Sequence, residues 1–541
     1  MSSDTQRFVC RLSGRSDFFD PISQTRSNIE YDAIVIGSGF GGSMTAHKLV
    51  NAGKKVLMLE RGDWVKRGPG NWQPEASIDL TSHYSKEVPY RVLAGGNSDI
   101  MGAYTCVGGP SVFYGTVSMR FREADFEPHE EIVTDSHAEW PYRYNDLEPF
   151  YNQAESILQI AGQEDSDPTE PHRSQPYPQK VGPLSDTSKM IGGAAEQLGL
   201  RPFRMPLAIN YSQSNGRTAC QACPTCDTFA CAVEAKNDLA TRVIPPLLEK
   251  GMDLSPNTIA VKLEREGDRV AAVQCFDKKK EKRVRYRGNV IVLSAGSLAS
   301  PHLLLASGLE QANPGGGTVG RYLTRHCNAI AFGFFKNRPN PKNEFHKQLG
   351  IHDFYFGHNT ITEPPGKLGS MQQLQTPPIG LVYHMVPQPF GKLIGLGVPH
   401  LTGLLVMAED QPQFENHVAI DADQTDRFGL PQLLVTHHYS DRDYAARKAL
   451  LQKAQMILRQ AGALFCYIHK IKTFSHAVGT VRMGSDPATS ALDPYCHFRG
   501  LQNLFVVDGS FLPTSGGLNP SLTISANALR VGKHLIDKNI V

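Results

Sequence analysis

The apolar run Ala33-Ile34-Val35-Ile36 leads directly into Gly37-Ser38-Gly39-Phe40-Gly41-Gly42, and no other stretch restricts the fold as much. Tyr31–Ile36 reads as a short buried strand. Ser43–Ala52 reads as a helix patterned by Met44, Ala46, His47, Leu49 and Val50, and Lys55–Leu59 as a second strand closed by Glu60. Strand, glycine turn, helix, strand and terminal acid in that order predict a parallel dinucleotide-binding unit. Gly37, Gly39 and Gly42 form GxGxxG, with Ser38 and Gly41 inside the turn. Glycine permits the tight turn and leaves backbone N–H groups facing a pyrophosphate at the helix N-terminus. Ala46 is small where helix and sheet must approach. Glu60 stands where a carboxylate accepts from a ribose 2′-hydroxyl, which makes NADP the least suitable occupant. A lone GxGxxG is a weak signal, but here its whole context is present.

With 541 residues the chain exceeds a single core, and two interleaved domains are expected. A hydrophobic content of 40% and a charged content of 20% fit a soluble globular protein. The net charge of +2 gives no electrostatic reason to expect nucleic acid or an anionic membrane as partner. The basic run Lys278-Lys279-Lys280-Glu281-Lys282-Arg283 reads as a solvated turn between strands, because Val284 and Tyr286 alternate after it. No apolar run reaches the ~18 residues of a membrane span, so no membrane insertion is predicted. Residues 1–30 read as a polar N-terminal extension without a secretory-signal pattern. Ten cysteines in so long a chain are no disulfide scaffold, and a reducing, cytoplasmic location is expected.

Further segments favour an extended, tightly held cofactor, FAD, over diffusible NAD. Val290–Ser297, containing Ala295, resembles the strand that returns under the nucleotide in flavoproteins. Thr258–Leu263, with Val261, alternates as a strand expected near the adenine, and Gly108-Gly109-Pro110-Ser111 forms another glycine cluster. Near the C-terminus, Asn519-Pro520 reads as an N-cap followed by proline at the first helical position, opening a helix over Ser521–Leu535. The positive end of that helix would stabilise an anionic reduced flavin ring.

Taken together these segments resemble the glucose–methanol–choline family of FAD-dependent oxidoreductases, from about residue 31 to residue 536. The resemblance is carried by the nucleotide turn and by Gly108-Gly109-Pro110-Ser111-Val112-Phe113-Tyr114-Gly115. Asp146-Leu147-Glu148-Pro149-Phe150-Tyr151, Gly479-Thr480-Val481-Arg482-Met483-Gly484 and Val507-Asp508-Gly509-Ser510 complete it. It implies an α/β fold in which a discontinuous Rossmann-like FAD-binding domain (31–150, 216–319 and 466–541) holds an inserted antiparallel-sheet substrate domain (151–215 and 320–465). Strands such as Gly380–Met385, Leu401–Met407 and Gln432–Thr436 would roof the pocket, with proline-rich loops at 337–341 and 362–366 beside it. The resemblance also implies cofactor contacts at Gly37, Ser38, Gly39, Gly41, Gly42, Glu60, Gly108, Gly109, Ser111, Val261, Ala295, Asp508, Gly509, Pro520 and Thr523. Members that attach FAD covalently carry a histidine where this chain has Phe113, so non-covalent FAD is expected.

The implied chemistry is oxidation of a CH–OH group, with hydride passing to flavin N5 and the hydroxyl proton to His476 as base. Asn519, a histidine in some members, would hydrogen-bond the substrate oxygen. Of nineteen histidines His476 is singled out by the adjoining Gly479–Gly484 signature. The expected partner is a small-molecule alcohol, with a sugar, aminosugar or polyol favoured, and the electron acceptor is O2 or a redox partner. A redox-silent lyase on the same scaffold, and the catalytic subunit of an iron–sulfur and cytochrome-linked sugar dehydrogenase, are the alternatives. Cys220, Cys223, Cys226 and Cys231 bear on the last. An iron–sulfur cluster, a structural zinc, free thiols or a loop disulfide are all open there, and no metal ligand is assigned.

Overall fold

The computed structural model describes residues 30–73, 76–94, 97–213, 216–386 and 389–541; the expected N-terminal extension falls outside them, save for Glu30. Within that range the architecture is α/β, with a Rossmann-like core drawn from the beginning, middle and end of the chain. Glu30–Ile36 pairs in parallel with Val56–Leu59 on one side and with the second half of Lys282–Leu293 on the other. Asp253–Ser255 and Leu504–Val506 extend this parallel sheet at its two edges. Parallel strands covered on both faces must be apolar throughout, which is why they read as unbroken runs in the sequence. Ala33, Ile34, Val35, Val290, Ile291, Val292 and Val506 are fully buried.

Helix Phe40–Asn51 lies against the C-terminal helix Ser521–Asp537. A Cβ on Gly532 would stand 2.8 Å from Lys48 Cβ, so glycine there sets the spacing of the two helices. The first half of Lys282–Leu293 turns away to form an antiparallel meander with Thr258–Glu266 and Arg269–Asp277. The basic run spans its last turn, where Asp277 Oδ1 accepts from the amides of Lys279 and Lys280 at 3.0 Å each.

A six-stranded antiparallel sheet makes the second layer, in the order Phe465–Lys470, Cys327–Phe334, Leu401–Ala408, Gly369–Leu374, Leu349–Ile351 and Phe203–Arg204. Helix Asp441–Gln460 covers one face, packing Ala446, Leu450, Ala454 and Ile457 on Ala329, Ala331, Leu404 and Val406. Because side chains alternate, Asn328, Ile330, Ser370, Gln372, Leu405 and Met407 occupy the opposite face.

Two expected strands of this layer are corrected. Gly380–Met385 falls within a helix, Ile379–Met385. Its short apolar alternation fits one helical stripe equally well, and Pro377-Pro378 supplies no ladder donor, whereas Pro378 O accepts from Leu381 N at 3.1 Å and begins the turn. Pro431–Thr436 is a strand, but it belongs to a separate four-stranded sheet with His417–Thr425, Tyr84–Ala94 and Asn97–Tyr104. Leu433 and Val435 bury there against Tyr90, Val92 and Phe474. Among the described residues no helix is long and apolar enough to cross a membrane.

Candidate active site

The glycine turn brings three parts of the chain into contact. Gly37 has φ +101°, and a Cβ on it would lie 2.2 Å from Ser294 O. A Cβ on Gly41 would meet Val507 O at 2.2 Å, and one on Gly42 would meet Gly37 O at 2.0 Å. These three glycines therefore serve close backbone approach. Gly39 differs: a Cβ there meets nothing within 4 Å, so its face opens on free space. Gly109, with φ +55°, borders that space, 3.2 Å from Gly39 Cα by the same measure. The helix amides begin here, the first helical bond running from Ser43 N to Gly39 O at 2.9 Å, and neither a cap side chain nor an acidic first turn occupies them.

The polar residues of the turn lock the loops together. Ser38 Oγ donates to Glu60 Oε2 at 2.6 Å and accepts from Gly108 N at 2.9 Å. Glu60 also accepts from Gly62 N at 2.8 Å. Ser111 Oγ donates to Gly108 O and accepts from Leu239 N, tying the second glycine cluster to the chain beyond the cysteines. Asp508 is buried and accepts from Gly296 N, Ser300 Oγ, and the amide and hydroxyl of Ser510. Burial raises its pKa, and those hydrogen bonds oppose the rise. Ala295 N donates to Ser300 Oγ, and Gly509 packs beside Ser297 Oγ, so both belong to this junction. Ser294 Oγ at the same junction is buried without a partner.

The side chains of two further expected contact residues are engaged within the protein. Val261 turns its side chain into a satellite apolar cluster with Ile259, Phe428 and Leu430. Thr523 places its hydroxyl 2.7 Å from Tyr151 Oη, joining the C-terminal helix to helix Tyr144–Leu158.

His476 and Asn519, both partly exposed, meet side chain to side chain where a cavity for substrate would open, Asn519 Nδ2 lying 3.4 Å from His476 Nε2. In the buried run 503–520 only Asn519 is partly exposed. The cap expectation is corrected: Pro520, with φ −80° and ψ −10°, holds the N-cap position, and no side chain caps the helix. The Asn519 side chain is free for the cavity because Pro520 has taken the helical boundary. Gln372 Nε2 donates to Asn519 Oδ1 at 2.6 Å, and His326 Nδ1 lies 3.1 Å from His476 Nδ1. Burial lowers the His476 pKa to about 3, helped by His326, Lys347 and Arg325, so the imidazole is neutral although its surface opens on the cavity.

Sequence reasoning missed the residues that hold this pair in place. Lys367 is buried between Asp125 at 2.6 Å and Glu409 at 2.5 Å. Glu409 accepts from Gly516 N, Tyr355 Oη accepts from Gly517 N, and Asp410 accepts from Ser515 Oγ. Segment 515–517, which delivers Asn519, is thus clamped from three sides. Asp125, Tyr355, Lys367 and the adjacent pair Glu409-Asp410 come from separate stretches of the chain and share no motif, so no local signal marks them. The four clustered cysteines are free thiols, and burial pushes Cys220 up to about 11 and raises Cys226 further. Among the described residues no group of three or more His, Cys, Asp or Glu side chains is poised to hold a metal.

The family pattern described as GMC oxidoreductase matches residues 31–328, and its C-terminal counterpart matches residues 412–528. The chain is a GMC oxidoreductase. Over 93% of its length this GMC oxidoreductase is 30% identical to 6'''-hydroxyparomomycin C oxidase of Streptomyces lividus, covering 91% of that relative. The same figures describe its likeness to paromamine 6'-oxidase of Streptomyces fradiae. Its fold matches the crystal structure of pyridoxine 4-oxidase from Mesorbium loti with a TM-score of 0.67 at 18% identity, covering 94% of this chain and 99% of the other. The enzyme is an FAD-dependent alcohol oxidase or dehydrogenase acting on CH–OH donors.

The residues present fit FAD, since the free space at Gly39 and the uncapped helix amides beside it form a cradle for a pyrophosphate. Gly39→Ala tests this directly. With φ −70° and no neighbour within 4 Å the methyl group strains nothing in the protein, yet it fills the cradle. The expected result is an unchanged melting temperature for the FAD-free protein, with FAD held roughly 10- to 100-fold more weakly, as overpacking a close contact predicts. Titration of the apoprotein followed by flavin fluorescence reads this. Unchanged affinity would move the cofactor away from Gly39.

Proposed function

We propose that this GMC oxidoreductase oxidises a carbinol of a sugar, aminosugar or polyol to the carbonyl, with His476 Nε2 taking the hydroxyl proton and Asn519 holding the same oxygen. FAD is held non-covalently, because the buried Phe113 offers no nucleophile for attachment. Bound FAD supplies the hydride acceptor; binding, orientation and proton transfer fall to the side chains. The inserted antiparallel sheet forms the substrate side of the cavity.

One observation carries the substrate class. Asn328 Oδ1, Ser370 Oγ and Gln372 Oε1 are buried and without partners, and all three lie on one face of the antiparallel sheet. Asn328 and Ser370 flank Met407 across the strands, and Gln372 reaches Asn519. A buried acceptor left unmatched costs about 1–3 kcal/mol, so a substrate with donors beside its reacting hydroxyl gains what a monohydroxy one forgoes. The similarity to oxidases of paromomycin-type compounds points the same way.

The test is anaerobic mixing of the flavin-loaded enzyme with sugars, aminosugars, polyols, aryl alcohols and sterols while the flavin absorbance is followed. Bleaching by polyhydroxy or amino alcohols, faster than by aryl alcohols or sterols, is expected. Reduction by aryl alcohols or sterols alone would overturn the substrate class, and a fully loaded flavin that no alcohol bleaches would overturn the oxidation itself.

A further inference from the structure

His476 serves as a base only while Nε2 is bare, and we infer that His326 is the positioning residue that keeps it so, as the acceptor link of a one-way hydrogen-bond chain ending on the Ser515 carbonyl. The inference rests on the role proposed for His476. The far end of the chain sets its direction. Ser515 O lies 3.1 Å from His326 Nε2. A carbonyl only accepts, so His326 Nε2 carries the proton, and in a neutral imidazole the other nitrogen is then the acceptor. That nitrogen, Nδ1, faces His476 Nδ1 at 3.1 Å, with the two rings nearly perpendicular at 82°. His476 Nδ1 must therefore be the donor, which leaves Nε2 bare on the cavity side.

The other end of the chain agrees. Asn519 Nδ2 faces His476 Nε2, and Asn519 Oδ1 accepts from Gln372 Nε2. Donors thus run from Gln372 to Asn519, to His476, to His326, to Ser515. Reversing any single member sets two donors or two acceptors face to face. The backbone is built for this link. His326 has φ +61°, a region that histidine rarely adopts, and its amide donates to Asp410 Oδ1 at 3.1 Å. The same Asp410 oxygen accepts from Ser515 Oγ at 2.8 Å, so one buried carboxylate fixes both His326 and the residue whose carbonyl it must meet. Arg325 N holds the second oxygen at 2.7 Å. Positive charge from Lys347 and Arg325 nearby disfavours an extra proton on the His476 ring.

The experiment uses the FAD-loaded enzyme labelled with 15N-histidine, His476 being assigned by the signal that His476→Ala loses. In the wild type, His476 is expected protonated at Nδ1 and bare at Nε2. His326→Leu, which removes the acceptor, should mix the two tautomers and slow anaerobic flavin reduction roughly 100-fold, while His326→Asn, which keeps an acceptor and tolerates the left-handed backbone, should keep the wild-type tautomer and a rate within about threefold. Equal loss in both variants with the tautomer unchanged would mean a structural role only and overturn the inference. So would a wild-type His476 protonated at Nε2, a result that needs no variant to fold. A bare Nε2 in an enzyme whose flavin no alcohol reduces would instead overturn the proposed function and leave His326 in its place.

Discussion

Replacing His476 by alanine should leave a yellow, FAD-loaded enzyme whose reduction by its alcohol is roughly 100- to 10,000-fold slower, the range a positioned base contributes. Flavin retention follows from geometry. His476 belongs to the cavity with Asn519, Gln372 and His326, whereas the glycine cradle is made by Gly39, Gly109 and the junction at Asp508. The pH dependence follows from its depressed basicity. With burial first, then His326, Lys347 and Arg325 lowering its pKa to about 3, the imidazole is already neutral across physiological pH. The base form is lost only as pH falls through that lowered value, so the wild-type reductive rate should show no acid limb from His476 between about pH 5 and 8, where an ordinary histidine would titrate near 6.5. Negative charge that develops in the cavity during the reaction raises the ring's affinity for a proton at the moment it is needed. Rapid-mixing kinetics across that pH range check both statements. A His476→Ala enzyme reduced at the wild-type rate would remove the residue from its role.

The parts of this enzyme that are legible in its sequence are those where one local pattern has one physical meaning. Ala33–Ile36 and Val290–Leu293 are buried on both faces, so their continuous apolar runs admit no other reading once a glycine turn follows the first. Gly380–Met385 has no such constraint. Six residues of mild alternation satisfy helix and strand alike, and the tertiary setting decides for helix. Asn519-Pro520 carries a helix-start signal displaced by one residue, with Pro520 at the cap position and the Asn519 side chain on His476. What stays hidden is the buried polar scaffold. Asp125, His326, Lys367 and the adjacent pair Glu409-Asp410 are brought together only by the fold, and the positive φ of His326 leaves no trace in its neighbours Arg325 and Cys327.

That scaffold is the source of the largest expected effect on stability. Lys367→Met should destabilise the folded enzyme by about 3–5 kcal/mol, the cost of breaking a buried ion pair by removing one partner. Lys367 is 2% exposed, and its two carboxylates, Asp125 and Glu409, are 2% and 0% exposed. Burial alone would lower the ammonium pKa, but the two carboxylates hold it above its ordinary value, so the lysine is charged. Methionine fills a similar volume and leaves two buried negative groups with no cation between them. Tyr355 Oη and Arg122 N still donate to Asp125, and Gly516 N still donates to Glu409, while the Arg122 and Arg442 guanidiniums act on the two carboxylates without standing between them as the ammonium does. The loss reaches the chemistry as well. If Glu409 shifts, Gly516 loses its bond in the clamp that delivers Asn519, and flavin reduction should slow even at temperatures where the variant stays folded. The control is the triple variant Lys367→Met, Asp125→Asn, Glu409→Gln. A complete buried ion cluster is worth little against a neutral replacement, so the triple variant should recover most of the stability that the single one loses. Denaturant unfolding of the three proteins side by side measures this. A single variant that costs less than about 1 kcal/mol would show that the two carboxylates are not both charged in the folded enzyme, and the clamp on Asn519 would then rest on hydrogen bonds alone.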